Sequence, residues 1–240
     1  MRCVCAHATA IRVLAAVSAG VFSACAEPRR DAVDSARDTV VASMAEPDSA
    51  SGGRASTWLT SPPGISATLG ARTADHMLDS MFGAANVRRE RVEIGEGETV
   101  PGTVLFPDDP VRRVDIFWID TISRDRPKHV RIGGARSEWS AGGVTAGSSL
   151  LEVERINGRP FVMAGFSWDY AGTVYSWDGG RLDSLPPGVE RLIVRLAPQR
   201  DPVSDSLQGH VNGDREFSST NPIMRRLNPR AYAVEVLFEP

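Results

Sequence analysis

The sequence predicts an α+β fold: two tandem units, each a short helix or helical pair packed on an antiparallel β-sheet of about four strands. Three observations carry this expectation. A helix-length segment recurs after 75 residues and ends both times in glycine, at Gly83 and Gly158. Runs of alternating apolar residues follow each copy. All three cysteines (Cys3, Cys5, Cys25) lie near the start, so the body has to be held by packing rather than by disulfides or thiolate–metal sites.

In the first copy, residues 69–83, Thr73 is placed to cap free backbone N–H groups and Asp75 falls in the positive first turn. Ala74, Met77, Leu78, Met81 and Phe82 follow helical spacing and form one apolar stripe, which Gly83 ends by taking a left-handed conformation. In the second copy, residues 144–158, Ser149-Leu150-Leu151-Glu152 is a capping-box pattern. Leu150, Val153 and Ile156 form its buried side, and Asn157-Gly158 closes it. Each amphipathic helix needs a sheet to lie on.

Strands are expected at 87–94, 103–106, 114–119 and 129–132 in the first half, and at 161–168, 173–177, 189–196 and 231–238 in the second, separated by Gly-, Pro- and Asp-rich turns. The last alternates Tyr232, Val234, Val236 and Phe238 against Ala233, Glu235 and Leu237. Runs of strands after a helix indicate antiparallel pairing, since parallel sheets need a crossover between strands.

A glycine near a small hydroxyl cap, a short helix ending in glycine and then several antiparallel strands, all repeated, resembles the tandem domain of the β-lactamase inhibitory protein family. It also resembles the single-copy fold of the small lipoprotein of the outer-membrane β-barrel assembly machine. The stretch 143–177, with Asn157-Gly158-Arg159-Pro160-Phe161 and Gly165-Phe166-Ser167-Trp168-Asp169-Tyr170, is similar to a group of uncharacterised bacterial envelope lipoproteins. The resemblance covers 58–240 and implies the tandem fold; it implies no β-lactamase inhibition, because activity resides in surface residues that a fold does not fix. The first copy departs by one extra residue between Gly70 and its cap, and residues 198–228 read as an insertion in the second half.

The organisation expected for the 240 residues is a signal peptide at 1–24, a lipidated Cys25 opening a flexible linker at 25–57, a first α+β repeat at 58–138 and a second at 139–240. The apolar run from Val13 to Phe22 is half of the about 20 residues a membrane-spanning helix needs, so it reads as a cleaved export signal. Phe22-Ser23-Ala24-Cys25 resembles a bacterial lipobox, with Phe22 in place of the usual leucine, and Ala26 implies sorting to the outer membrane. Ordinary cleavage after Ala26, releasing a soluble periplasmic or secreted protein, stays open. The linker, rich in Ala, Ser, Asp, Arg, Pro and Gly, is too polar to order itself.

Hydrophobic residues at 42% and charged residues at 24% allow a sizeable core in the body. Net charge is −3, or −5 once Arg2 and Arg12 leave with the signal, and Lys128 is the only lysine. An acidic chain without a basic, aromatic-interleaved face is a poor nucleic-acid binder.

No Gly-x-Ser-x-Gly, His-Glu-x-x-His, phosphate loop or dinucleotide fingerprint occurs, so no catalytic residue, metal or cofactor is assigned. His76 reads as a helix-surface residue and His129 as a solvated strand-edge residue. His210 with Asp201, Asp205, Ser206 and Asp214, in a long loop, is the one group that a hydrolase or small-ligand binder could use. The aromatic cluster Trp168-Asp169-Tyr170 with Tyr175 and Trp177 is the other feature. A hairpin turning at Ala171-Gly172 would gather the rings, either inside the core or as a protein-binding patch extended by Arg191 and Arg195 on an open sheet face. The expectation is an envelope lipoprotein, not an enzyme, that binds another envelope protein. A hydrolase or ligand binder, and a purely structural lipoprotein, are the alternatives.

Overall fold

A computed structural model describes residues 58–240. The export signal, Cys25 and the linker lie outside the described residues. In chain order the elements are β1 (Leu59–Thr60), α1 (Asp75–Phe82), β2 (Val87–Gly95), β3 (Glu98–Leu105), β4 (Val114–Trp118), β5 (Pro127–Gly133), β6 (Ser140–Ala141), α2 (Leu150–Asn157), β7 (Val162–Ala164) and β8 (Val174–Ser176), followed by β9 (Val189–Ala197), α3 (Pro202–Gln208), β10 (Glu216–Ser218), α4 (Pro222–Leu227) and β11 (Arg230–Phe238). The fold is α+β, mostly antiparallel sheet, as the sequence predicts.

Both glycine-terminated segments are helices, offset by the predicted 75 residues, and their ends differ. Ser149 and Glu152 of α2 form the predicted capping box, and Gly158 closes the helix in the left-handed region at φ 81°. The N-cap of α1 is Ala74, without a side-chain cap, and Gly83 ends it at φ 84° and ψ 132°. Thr73 instead accepts a bond from the Gly70 N–H at 3.0 Å, because its side chain turns back to close the preceding loop. Of the expected apolar stripe, Ala74, Leu78 and Phe82 are buried, whereas Met77 is exposed.

The order of the main sheet is β2-β3-β4-β5-β11-β9. The meander β2 to β5 follows α1 as expected. The strands after α2 divide: β11 and β9 extend the first sheet, β11 pairing with β5 through Val234–Ile132 and Val236–Val130. The remaining strands form a three-stranded sheet ordered β10-β7-β8. Fusion at β5 and β11 removes two edges that separate sheets would leave unpaired. Leu78 and Phe82 of α1 and Leu150 and Val153 of α2 share one core with Val114, Ile116, Val130, Ile132, Val194, Val234 and Val236. Both helices therefore cover the same side of the sheet.

The other side carries Val92, Val104 and Phe117 as a second, small apolar cluster. Here the β2–β3 hairpin coils over the sheet. Arg131 of β5 donates to the Glu93 carbonyl of β2 at 2.7 Å, although these strands are three places apart in the sheet, roughly 14 Å if it were flat. Gly102 permits the coil, because a Cβ there would lie 2.7 Å from Val92 Cγ2 and 3.0 Å from the Ile116 carbonyl oxygen.

Two expectations are corrected. Residues 198–228 are not a long loop: they hold α3, β10 and α4. Asn221 caps α4 and Pro222 sits in its first turn, a pairing that starts a helix inside the segment expected to be loop. Tyr232 does not share a face with Val234, because the register of β11 against β9 slips between Ala231 and Ala233, a bulge that turns Tyr232 outward and keeps Ala231 buried.

Candidate functional site

The two sheets meet edge to edge at one place. Leu196 of β9 donates its N–H to the Gly172 carbonyl at 2.9 Å. A single antiparallel bridge, Thr173 to Arg195, is the pairing made there. Gly172, at φ 67°, has no room for a side chain, since a Cβ would lie 1.7 Å from the Leu196 carbonyl oxygen. Beyond this contact β8 and β9 diverge, each the last strand of its sheet. The divergence opens a groove of about 540 Å³ whose lining includes Tyr170, Tyr175, Trp177, Leu182, Arg191 and Arg195.

The loop that carries Trp168, Asp169 and Tyr170 spans the gap between β7 and β8 and is fixed at both ends. Within it, Ala171 N–H donates to Trp168 O and Thr173 N–H to Tyr170 O. From below, Phe166 N–H donates to Val211 O and Gly213 N–H to Phe166 O, while Gln208 Nε2 reaches Ser167 Oγ at 3.1 Å. The segment around His210 is thus a buttress for the aromatic loop. His210 itself is exposed on a short 3-10 turn, and its carbonyl accepts from Arg215. Among the described residues no cluster of three or more His, Cys, Asp or Glu could hold a metal ion. Asp201 accepts from the Ser204 hydroxyl at 2.8 Å.

The predicted binding residues separate by burial. Trp168, Tyr170 and Tyr175 are 62%, 63% and 45% exposed, and Asp169 and Arg191 are exposed as well. Trp177, 6% exposed, is a core residue packed on Phe161 at 5.6 Å between ring centroids. It meets the groove only at its floor. The rings expected to gather on one hairpin, in the core or as a patch, divide between the two: Tyr175 is exposed on β8, whereas β8 ends at Ser176 and Trp177 turns into the core. Asn157 holds that turn: its Nδ2 donates to the Trp177 carbonyl at 2.9 Å, and its Oδ1 accepts from the Leu182 N–H at 3.1 Å. The C-terminal end of α2 thereby fixes the groove floor.

Arg195 links the groove to its surroundings. It is ion-paired with Glu235 of β11. It also borders a second hollow of about 450 Å³, under the hairpin tip, with Ile94, Asp169 and Tyr232. The predicted open sheet face is therefore partly covered; of the exposed aromatics Tyr170 and Tyr175 gather at its β9 end, whereas Trp168 does not line the groove and lies toward Gly213. Tyr175 has its phenol pKa held above the ordinary value by desolvation and by Asp214, Glu216 and Tyr170; burial, reinforced by Glu235, does the same for Tyr232 against the pull of Arg195. Both phenols stay neutral hydrogen-bonding groups near pH 7. The Thr173 hydroxyl beside the bridge is buried with no hydrogen-bond partner among the described residues.

His129 lies on β5, an interior strand between β4 and β11, and not at a strand edge. Its ring stacks on Phe117 at 4.1 Å and its Nε2 is 4.0 Å from Glu235. Burial, then Arg131, Lys128 and Arg195, lower its pKa to about 4, so it is neutral near pH 7. His76 is exposed on α1 as predicted. Sequence reading missed the network around Asp75, which receives Arg89 at 2.7 Å and the Thr103 hydroxyl, itself the acceptor for Trp118 Nε1 at 3.1 Å. Only the Asp in the first helical turn signalled it. Among the described residues no helix is long and apolar enough to cross a membrane.

Comparison of the chain with protein-family models, with curated proteins and with solved structures gives no match.

Proposed function

We propose that the chain is a non-enzymatic protein-binding module of the bacterial cell envelope, exported by residues 1–24, anchored to the outer membrane through Cys25 and carried on the linker to residue 57. The observation that supports binding is the convergence of Tyr170, Tyr175, Arg191 and Arg195 on one groove with an apolar floor. Exposed tyrosines beside arginines, over buried leucine and tryptophan, are the side chains that most often anchor protein interfaces. Their setting is rigid, because the loop that bears Tyr170 is hydrogen-bonded at both ends. In the same reading the two helical segments are copies of one ancestral unit, a view supported by α1 and α2 being 8 residues each with end glycines at equal offset.

Site-directed photo-crosslinking in the native envelope tests the proposal. A benzoylphenylalanine at position 175 should give one discrete adduct, whose partner peptide is identified by mass spectrometry, and the adduct should vanish in the Arg191→Glu background. The same probe at Ile122, 92% exposed and absent from the groove lining, should give none. Equal adducts from both positions, or none from position 175, would remove the proposal.

A further inference from the structure

We infer that the groove and the hollow beside it form one surface that binds a basic stretch of a partner protein, whose lysine or arginine side chains lie against Tyr170, Tyr175 and Tyr232. The inference rests on the protein-binding reading and specifies the partner's chemistry. The groove and the hollow under the hairpin tip are neighbours, since Arg195 lines both. The ridge between them is the aromatic loop, which gives Asp169 to the hollow and Tyr170 to the groove. Tyr170, Tyr175, Tyr232 and Ile94 all border this surface and are exposed, four of the ten large apolar side chains that the described residues leave in solvent. Such a concentration marks an interaction surface.

Charge selects the partner. Asp183 and Glu190 line the groove, and Glu96, Glu98 and Asp169 line the hollow. Asp214 and Glu216 stand near Tyr175: Glu216 of β10 pairs with Ala164 of β7, whose N–H is bonded to the Thr173 carbonyl at the start of β8, and both carboxylates act on the Tyr175 phenol. The ion pairs of the described residues fall on other carboxylates, such as Asp75, Asp115, Glu154 and Glu235, and none of these seven takes part.

The nearby cations are engaged elsewhere. Arg195 is paired with Glu235. Arg215, between Asp214 and Glu216 in sequence, is withdrawn: its guanidinium lies over the Phe217 ring at 5.3 Å and donates to the His210 carbonyl at 3.1 Å. In the groove lining that leaves Arg191, four residues along β9 from the bridge at Arg195, as the one point that calls for an acceptor on the partner. Residues 58–240 hold 21 basic and 24 acidic side chains, an acidic excess of three, whereas this surface alone has seven carboxylates against Arg191. The rest of the body is therefore net positive, and the negative field belongs to the aromatic surface. A cation placed there gains both from the carboxylates and from the faces of the tyrosine rings.

Fluorescence anisotropy at low salt on the full chain without its signal peptide, with a labelled heptapeptide of alternating lysine and glycine, tests this. The lysine peptide should bind and the matching glutamate–glycine peptide should not. Asp214→Lys with Glu216→Lys should weaken the lysine peptide roughly tenfold or more. Asp125→Lys with Glu138→Lys makes the same change of net charge at exposed positions outside the groove and the hollow, and should keep most of the affinity. Tyr175→Ala should cost about two- to fivefold and Tyr175→Phe, which keeps the ring, should cost less. In the envelope, the partner peptide crosslinked at position 175 should contain lysine or arginine, and the adduct should fall in the Asp214→Lys, Glu216→Lys background. Equal binding of the two peptides, binding of neither, or equal losses from the two pairs of charge reversals overturns the inference. So does an adduct of undiminished yield in that background, which leaves the protein-binding reading standing. A dimer in sedimentation that Asp214→Lys with Glu216→Lys dissociates would make a second copy the occupant and also overturn it.

Discussion

Gly172→Ala is expected to undock the small sheet from the large one. The new Cβ would sit 1.7 Å from the Leu196 carbonyl oxygen, where ordinary contact begins at 3.4 Å, so β8 and β9 must part by nearly the difference. That carries the 2.9 Å bond from Leu196 N–H to Gly172 O beyond hydrogen-bonding range. A lost backbone bond costs about 1 kcal/mol, and a residue with a Cβ held at φ 67° costs about 1–2 kcal/mol more. The sum, about 2–3 kcal/mol, corresponds to a fall in Tm on the order of 5–10 °C for a domain of this size. Calorimetry reads the loss, and amide hydrogen exchange locates it: the Leu196 amide should lose protection while the Val130 and Val236 amides in the middle of the large sheet keep theirs. A variant with wild-type Tm and a still-protected Leu196 amide would show that the two sheets are not joined where the geometry puts them.

Trp177→Ala should cost about 3–5 kcal/mol because the ring is buried on Phe161, whereas Trp168→Ala should leave Tm unchanged; equal effects in thermal melts would contradict the division into a buried and an exposed ring. Two threonines should behave oppositely in denaturant titrations. Thr103→Val removes a hydroxyl bonded to Asp75 and Trp118 and should destabilise by about 1–3 kcal/mol, while Thr173→Val removes a buried, unpaired hydroxyl and should be neutral or stabilising. His129 has a folded-state pKa near 4 against 6.5 in the unfolded chain, so the unfolded chain takes up the proton first. Stability is undiminished by this group above about pH 6.5 and falls as pH drops toward 4, by about 3 kcal/mol across the window. His129→Gln should flatten the stability profile over that window, and an unchanged slope in urea titrations would rule His129 out as its source.

Local physics made part of this fold readable. The capping box of α2 and the two end glycines depend on residues adjacent in sequence, so they could be placed from the chain alone. The alternation of β9, with Leu192, Val194 and Leu196 buried, is a local pattern of the same kind. Strand order is not local: nothing near His129 tells that β11 pairs beside it, and so a stacked, half-buried ring reads as an edge residue. The bulge that turns Tyr232 outward arises from the pairing of β11 with β9, which the period of one strand cannot reveal. Of the site, Tyr170, Tyr175, Arg191 and Arg195 were legible as residues, but not the groove. It exists because Gly172 touches Leu196 and the two strands then diverge, a tertiary contact across 24 residues of sequence.

Residue-resolved amide exchange along β9 in the unbound protein tests most directly whether this strand offers an unpaired edge to the groove. Amides of Arg191 and Ile193, which face β11, should exchange slowly, and the Leu192 amide between them should exchange orders of magnitude faster. Uniform protection of all three would mean that β9 is paired on both sides there, and the groove would not open beside it.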